Sequence, residues 1–142
     1  MKRVGSILVC SSWLVYLASW IMPVLQIQGD ESYMGWMAGW TVIQKIPSFY
    51  LGWSDFLGAV LGIGNIYAAI APAALFFPTR QLFKFMSSFS MLIFIIALSM
   101  FFFEEGYAEG YFLWAMSYMG MATGFGMLSF GSQRIESTKP SG

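Results

Sequence analysis

Four stretches of the chain contain no Asp, Glu, Lys or Arg: Val4 to Gly29, Phe56 to Phe77, Phe85 to Phe103 and Gly110 to Gln133. A helix of roughly 20 predominantly apolar residues crosses the hydrocarbon core of a bilayer, because it pairs its own backbone polar groups where no water is present. Each stretch is long enough and each is bounded by charge. The expected fold is an all-α membrane protein with four transmembrane helices, at residues 4–26, 55–77, 84–103 and 110–131. Residues 1–133 then form a single four-helix domain, and 134–142 a short polar tail.

Composition agrees with this. Charged residues make up 10% of the chain and apolar residues 58%, whereas soluble domains average roughly 25% charged. So little polar surface cannot cover a water-soluble globule. The single Cys10 excludes an internal disulfide, and the absence of histidine removes the usual Cys/His metal spacings and Cys-His catalytic pairs. No metal, cofactor or nucleic-acid partner is expected.

The positive start Met1-Lys2-Arg3 opens a secretory-signal reading. The apolar run exceeds the usual signal core of about 7–15 residues and no A-x-A-like site follows, so an uncleaved anchor is expected. Val9 before Cys10 argues against a lipidated cysteine. Alternating four spans puts Lys2, Arg3, Arg80, Lys84, Arg134 and Lys139 on one side and Lys45 alone on the other. The positive-inside rule makes the first side cytoplasmic, with both termini there. Asp30, Glu31, Asp55, Glu104, Glu105 and Glu109 fall outside.

The long connection between Asp30 and Asp55 carries Tyr33, Trp36, Trp40, Phe49, Tyr50 and Trp53. Helical spacing places Tyr33, Trp36, Trp40 and Ile43 on one face, which predicts an aromatic helix lying in the outer interface and ending before Pro47. With Trp20 and Trp114, Trp36, Trp40 and Trp53 read as one outer aromatic layer. Ser54 is the expected N-cap of the second span, with Asp55 in its first turn, and Pro72 is expected to kink that span.

Gly58-x-x-x-Gly62 and Gly120-x-x-x-Gly124 are small-xxx-small patterns that let helix backbones approach closely. With Asn65, the most polar residue near the middle of a span, they are the expected packing residues. Asn65 is expected to hydrogen-bond across helices; a ligand-coordinating role is the alternative. The outer carboxylates could bind a divalent cation loosely, but solvated charge is the plainer reading, and no nucleophile–base motif emerges.

Tyr16-Leu17-x-Ser19-x-x-x-Pro23, then Gly35-Trp36, a second unbroken apolar span, a short basic turn, and Gly110-Tyr111-x-Leu113-Trp114-x-x-Ser117 together resemble a widespread family of small four-helix bacterial inner-membrane proteins. The chain departs from it in the expanded Gly-Trp loop and the acidic loop near Glu104. That family carries no established activity, so the resemblance implies fold and location and transfers no catalytic residue. The resulting expectation is a non-enzymatic integral protein that binds lipid or a membrane partner through Trp36, Trp40 and Trp53, with one of the glycine patches as the alternative contact for a second copy or another protein. A small transport or channel subunit with a polar site near Asn65 is the second reading, and a membrane enzyme using the outer carboxylates the third.

Overall fold

The protein is described by a computed structural model over residues 2–26, 32–103 and 108–136. In α1 (Lys2–Trp20) the buried residues are Gly5, Val9, Ser12, Tyr16 and Ser19, three or four apart, and so form one stripe along the helix. The backbone of α5 (Glu109–Glu136) closes against that stripe. A Cβ on Gly124 would stand 2.7 Å from Val9 Cγ2, and a Cβ on Gly120 would overlap Ser12 Oγ at 2.0 Å. Only a residue without a side chain permits this approach.

The first helix stops at Trp20, which corrects the expectation that it continues to residue 26. Pro23 has no amide to donate and disfavours helical geometry at Met22. The chain turns there, and Pro23–Gln26 (β1) pairs antiparallel with Ser32–Met34 (β2). The register slips between Pro23 and Leu25, which frees Val24 from the ladder. Its carbonyl instead accepts the Ala108 amide at 2.9 Å, fastening the hairpin to the start of α5.

Helix α2 (Gly35–Gln44) follows β2 directly, its first amide donating to Met22 O at 2.8 Å. Tyr33 therefore lies in β2 rather than on the aromatic helix. Helix α2 does not lie across the bundle. It runs lengthwise along α3 (Trp53–Ile70) in the opposite sense, with Gly39 beside Asn65, Val42 and Ile43 at Gly62, and Lys45 at Gly58. A Cβ on Gly62 would stand 2.4 Å from Val42 O. Gly58 and Gly62 thus seat α2, whereas Gly120 and Gly124 seat α1, so the two glycine pairs serve different neighbours. A 3-10 turn, Ile46–Ser48, carries the chain on toward α3.

Gly52, not Ser54, stands at the N-cap of α3, and it makes no side-chain cap bond. Asp55 in the first turn pairs with Lys45. After Ile70 the helix tightens into a 3-10 segment, Ala71–Phe76, where Pro72 sits without demanding the missing α-helical bond. The Tyr67 hydroxyl donates to Met86 O at 2.8 Å, and a Cβ on Gly64 would touch Ile93, so α4 (Arg80–Phe103) is antiparallel to α3. Ser87 Oγ donates to Ala122 O at 2.7 Å and Tyr111 Oη to Ala97 O, so α5 is antiparallel to α4. Lys2, Arg3, Arg80 and Lys84 consequently gather at one end of the bundle, and Asp55, Glu109 and the hairpin lie toward the other.

Three helices, Lys2–Trp20, Trp53–Phe76 with its 3-10 end, and Arg80–Met100, are long and apolar enough to cross a membrane. Helix α5 is longer at 28 residues but less apolar. It is packed between α1 and α4, and its inward face mixes small and polar residues, Gly110, Ser117, Gly124 and Ser129, with the apolar and aromatic side chains of Tyr111, Trp114, Tyr118, Met121, Phe125 and Leu128.

Gly62→Val should unseat α2 and lower unfolding stability in mixed detergent by at least about 2 kcal/mol. Gly52→Ala, with nothing within 4 Å of the added methyl, should cost only the weaker N-cap preference of alanine, less than about 1 kcal/mol. Equal effects would contradict the packing described.

Candidate functional site: a cavity beneath helix α2

Asn65 lies on the inward face of α3 and is 3% exposed. Trp114 Nε1 donates to its Oδ1 at 2.9 Å, and the Tyr16 hydroxyl donates to its main-chain oxygen at 3.0 Å, lying 3.4 Å from Oδ1. An indole N–H can only donate, so the carbonyl half of the Asn65 amide must face Trp114 and the Nδ2 half must point away. It points toward α2, where a Cβ on Gly39 would come within 3.8 Å of it.

Gly39 has no Cβ, and a cavity of about 70 Å³ remains there. Helix α2 supplies one wall through Gly35, Ala38, Gly39 and Val42, while Trp20, Leu61, Tyr111 and Trp114 supply most of the opposite one. Among the described residues no Asp, Glu, Lys or Arg lines it. Two backbone contacts fix the roof: a Cβ on Gly35 would overlap Ser19 O at 2.0 Å, and one on Gly110 would stand 2.6 Å from Pro23 O. The Tyr111, Trp114 and Tyr118 rings pack in sequence at 5.5 and 5.2 Å, with Tyr16 at 6.4 Å from Tyr118.

The tryptophans divide into two groups, which corrects the single outer layer. Trp114 is buried and Trp20 half-buried, both on the cavity wall. Trp36, Trp40 and Trp53 are 50%, 59% and 73% exposed. Trp36 and Trp40 flank α2 near the level of Asn65. Trp53, twelve residues before Asn65 on α3, lies about 18 Å further along the axis. Trp53 stacks on Phe56 at 5.5 Å, and Phe49 and Tyr50 meet edge to face at 5.8 Å.

Asp30, Glu31, Glu104 and Glu105 lie outside the described residues. Among the described residues no group of three or more His, Cys, Asp or Glu could hold a metal ion. Cys10 is free and exposed.

No family model matches the chain, and no curated protein or solved structure matches it significantly. Three separate stretches of chain line the cavity, through Ser19 and Trp20, Gly35, and Tyr111 and Trp114. Sequence reasoning singled out Asn65 but did not place Tyr16, Gly39 or Tyr111 beside it. One signal was available: Tyr111, Trp114 and Tyr118 recur at three- and four-residue spacing, the pattern of an inward-facing stripe.

Trp114→Phe keeps one aromatic ring but removes the donor and part of the buried ring volume, leaving Asn65 Oδ1 with only the longer Tyr16 contact. The expected loss is at least about 1–2 kcal/mol of unfolding stability, measured in detergent; an unchanged midpoint would show that the bond is dispensable.

Proposed function

We propose that the chain is a non-enzymatic, four-span integral protein of a bacterial cytoplasmic membrane, both termini cytoplasmic, that engages lipid through the exposed rings of Trp36, Trp40 and Trp53. The observation that carries this reading is an inversion of polarity. The helices turn Ile7, Leu14, Ile63, Ile66, Phe85, Leu92, Ile95 and Phe112 outward, while Ser12, Ser19, Asn65, Ser90 and Ser117 are buried. The exposed hydroxyls of Ser11, Thr41, Ser99 and Thr123 donate to carbonyls three or four residues back. None of these hydroxyls needs water, which is what a lipid-facing surface requires.

Helix α5, flanked by α1 and α4 over its charge-free length, is the fourth span. Gathered basic residues assign the Lys2 and Arg80 end to the cytoplasm. At the opposite end the Lys45–Asp55 pair marks the water boundary, and Tyr50, Trp53 and Phe56 sit beside it at headgroup depth, where an amphipathic ring is favoured. Helix α2 then faces lipid with Trp36, Met37 and Trp40 and faces the bundle with glycine. Tyr118, Met121 and Phe125 are fully buried and fill the interior, which favours a binding role over a pore through one copy.

Tryptophan emission in bilayers of brominated phospholipid tests the lipid contact. Wild type should be strongly quenched, and replacing Trp36, Trp40 and Trp53 together by Phe should leave emission from Trp13, Trp20 and Trp114 that is quenched far less. Equal quenching would remove the lipid-facing assignment. A reporter fused after Gly142 should be active only on the cytoplasmic side; activity outside would overturn the orientation.

A further inference from the structure

We propose that the cavity beneath α2 is a binding site for a small uncharged molecule that presents one hydrogen-bond acceptor, such as a carbonyl oxygen, to the Asn65 amide nitrogen. Three observations carry this, and none depends on the lipid role of the exposed rings. Every hydrogen bond that Asn65 makes among the described residues uses an oxygen, through Tyr16 and Trp114, so Nδ2 carries two unused donors in a residue that is 3% exposed. A buried donor of this kind calls for a partner. The space in front of Nδ2 is kept open by Gly39, whose Cβ would make only ordinary contacts there, at 3.5 Å from the Trp20 ring and 3.8 Å from Nδ2. Apart from Ser19, whose hydroxyl donates to Tyr16 O, the remaining walls are apolar and aromatic, and among the described residues they carry no charged side chain.

Size and chemistry select the ligand class. A cavity of about 150 Å³ accommodates benzene, so one of about 70 Å³ takes a body of about three non-hydrogen atoms. An ion would lose its hydration without a counter-charge and is disfavoured. A compact aldehyde or amide carbonyl fits: its oxygen accepts from Nδ2, and its alkyl part contacts Trp20, Leu61 and Trp114. A free solute and the ester carbonyl of a phospholipid share this chemistry.

The test uses the full chain in nanodiscs, with the Asn65 side-chain amide and the Trp114 indole N–H followed by NMR. Acetaldehyde is the probe, and propene is the same shape without the acceptor. Acetaldehyde should shift the Asn65 amide saturably and bind at least tenfold more tightly than propene. Gly39→Val should abolish the shift while the Trp114 indole signal stays in place, and Gly39→Ala should weaken binding if the valine variant does not fold. In the absence of acetaldehyde, an Asn65 amide shift that differs between ester-linked and ether-linked lipid assigns the carbonyl to lipid. Identical spectra with saturable acetaldehyde binding assign it to a free solute. A shift that grows linearly and persists in Gly39→Val, equal binding of propene, or an Asn65 amide that never moves would overturn the proposal.

Discussion

The bond from Trp114 Nε1–H to Asn65 Oδ1 sets the orientation of a residue at which three helices meet. It joins α5 to α3, and the Tyr16 hydroxyl joins α1 to the same residue. In apolar surroundings a polar group without a partner is costly, so the three groups hold one another in place. Once Asn65 is oriented by the indole, its amide nitrogen can point only toward α2. The cavity is therefore a consequence of how the helices are tied together.

Glycine sets the other half of the design. Gly124 brings α5 to the backbone of α1, Gly120 receives the Ser12 side chain, and Gly62 brings α2 to the backbone of α3 with no side chain between them. Gly35 and Gly39 face inward on α2, and Trp36 and Trp40 face outward. Each Gly-Trp pair on this helix therefore joins a close-packed inner contact to an exposed ring. In the proposed bilayer setting the short α2 lies beside the outer part of α3, above the point where α1 stops at Trp20.

Much of this was legible from charge alone. The runs read as 55–77, 84–103 and 110–131 appear as helices at Trp53–Phe76 with its 3-10 end, Arg80–Phe103 and Glu109–Glu136, because a charge-free run of that length has little alternative to helix. The hairpin was not legible, since Pro23-Val24-Leu25-Gln26 is as uncharged as a span and its pairing depends on a distant strand and on Ala108. The depth of Trp114 was not legible either. Its position near the end of a span suits a headgroup-level ring equally well, and only the neighbouring Asn65 decides that it turns inward. Ser54 likewise has the chemistry of a cap, but α3 begins one residue before it.

The most direct test of this account is hydrogen exchange of the six indole N–H groups, resolved by NMR on the protein in lipid. Trp114 should exchange as slowly as the most protected core amides, while Trp53, exposed at the hairpin end, should exchange rapidly. Exchange of Trp114 at the rate of Trp53 would show that the Asn65 bond does not hold the bundle together.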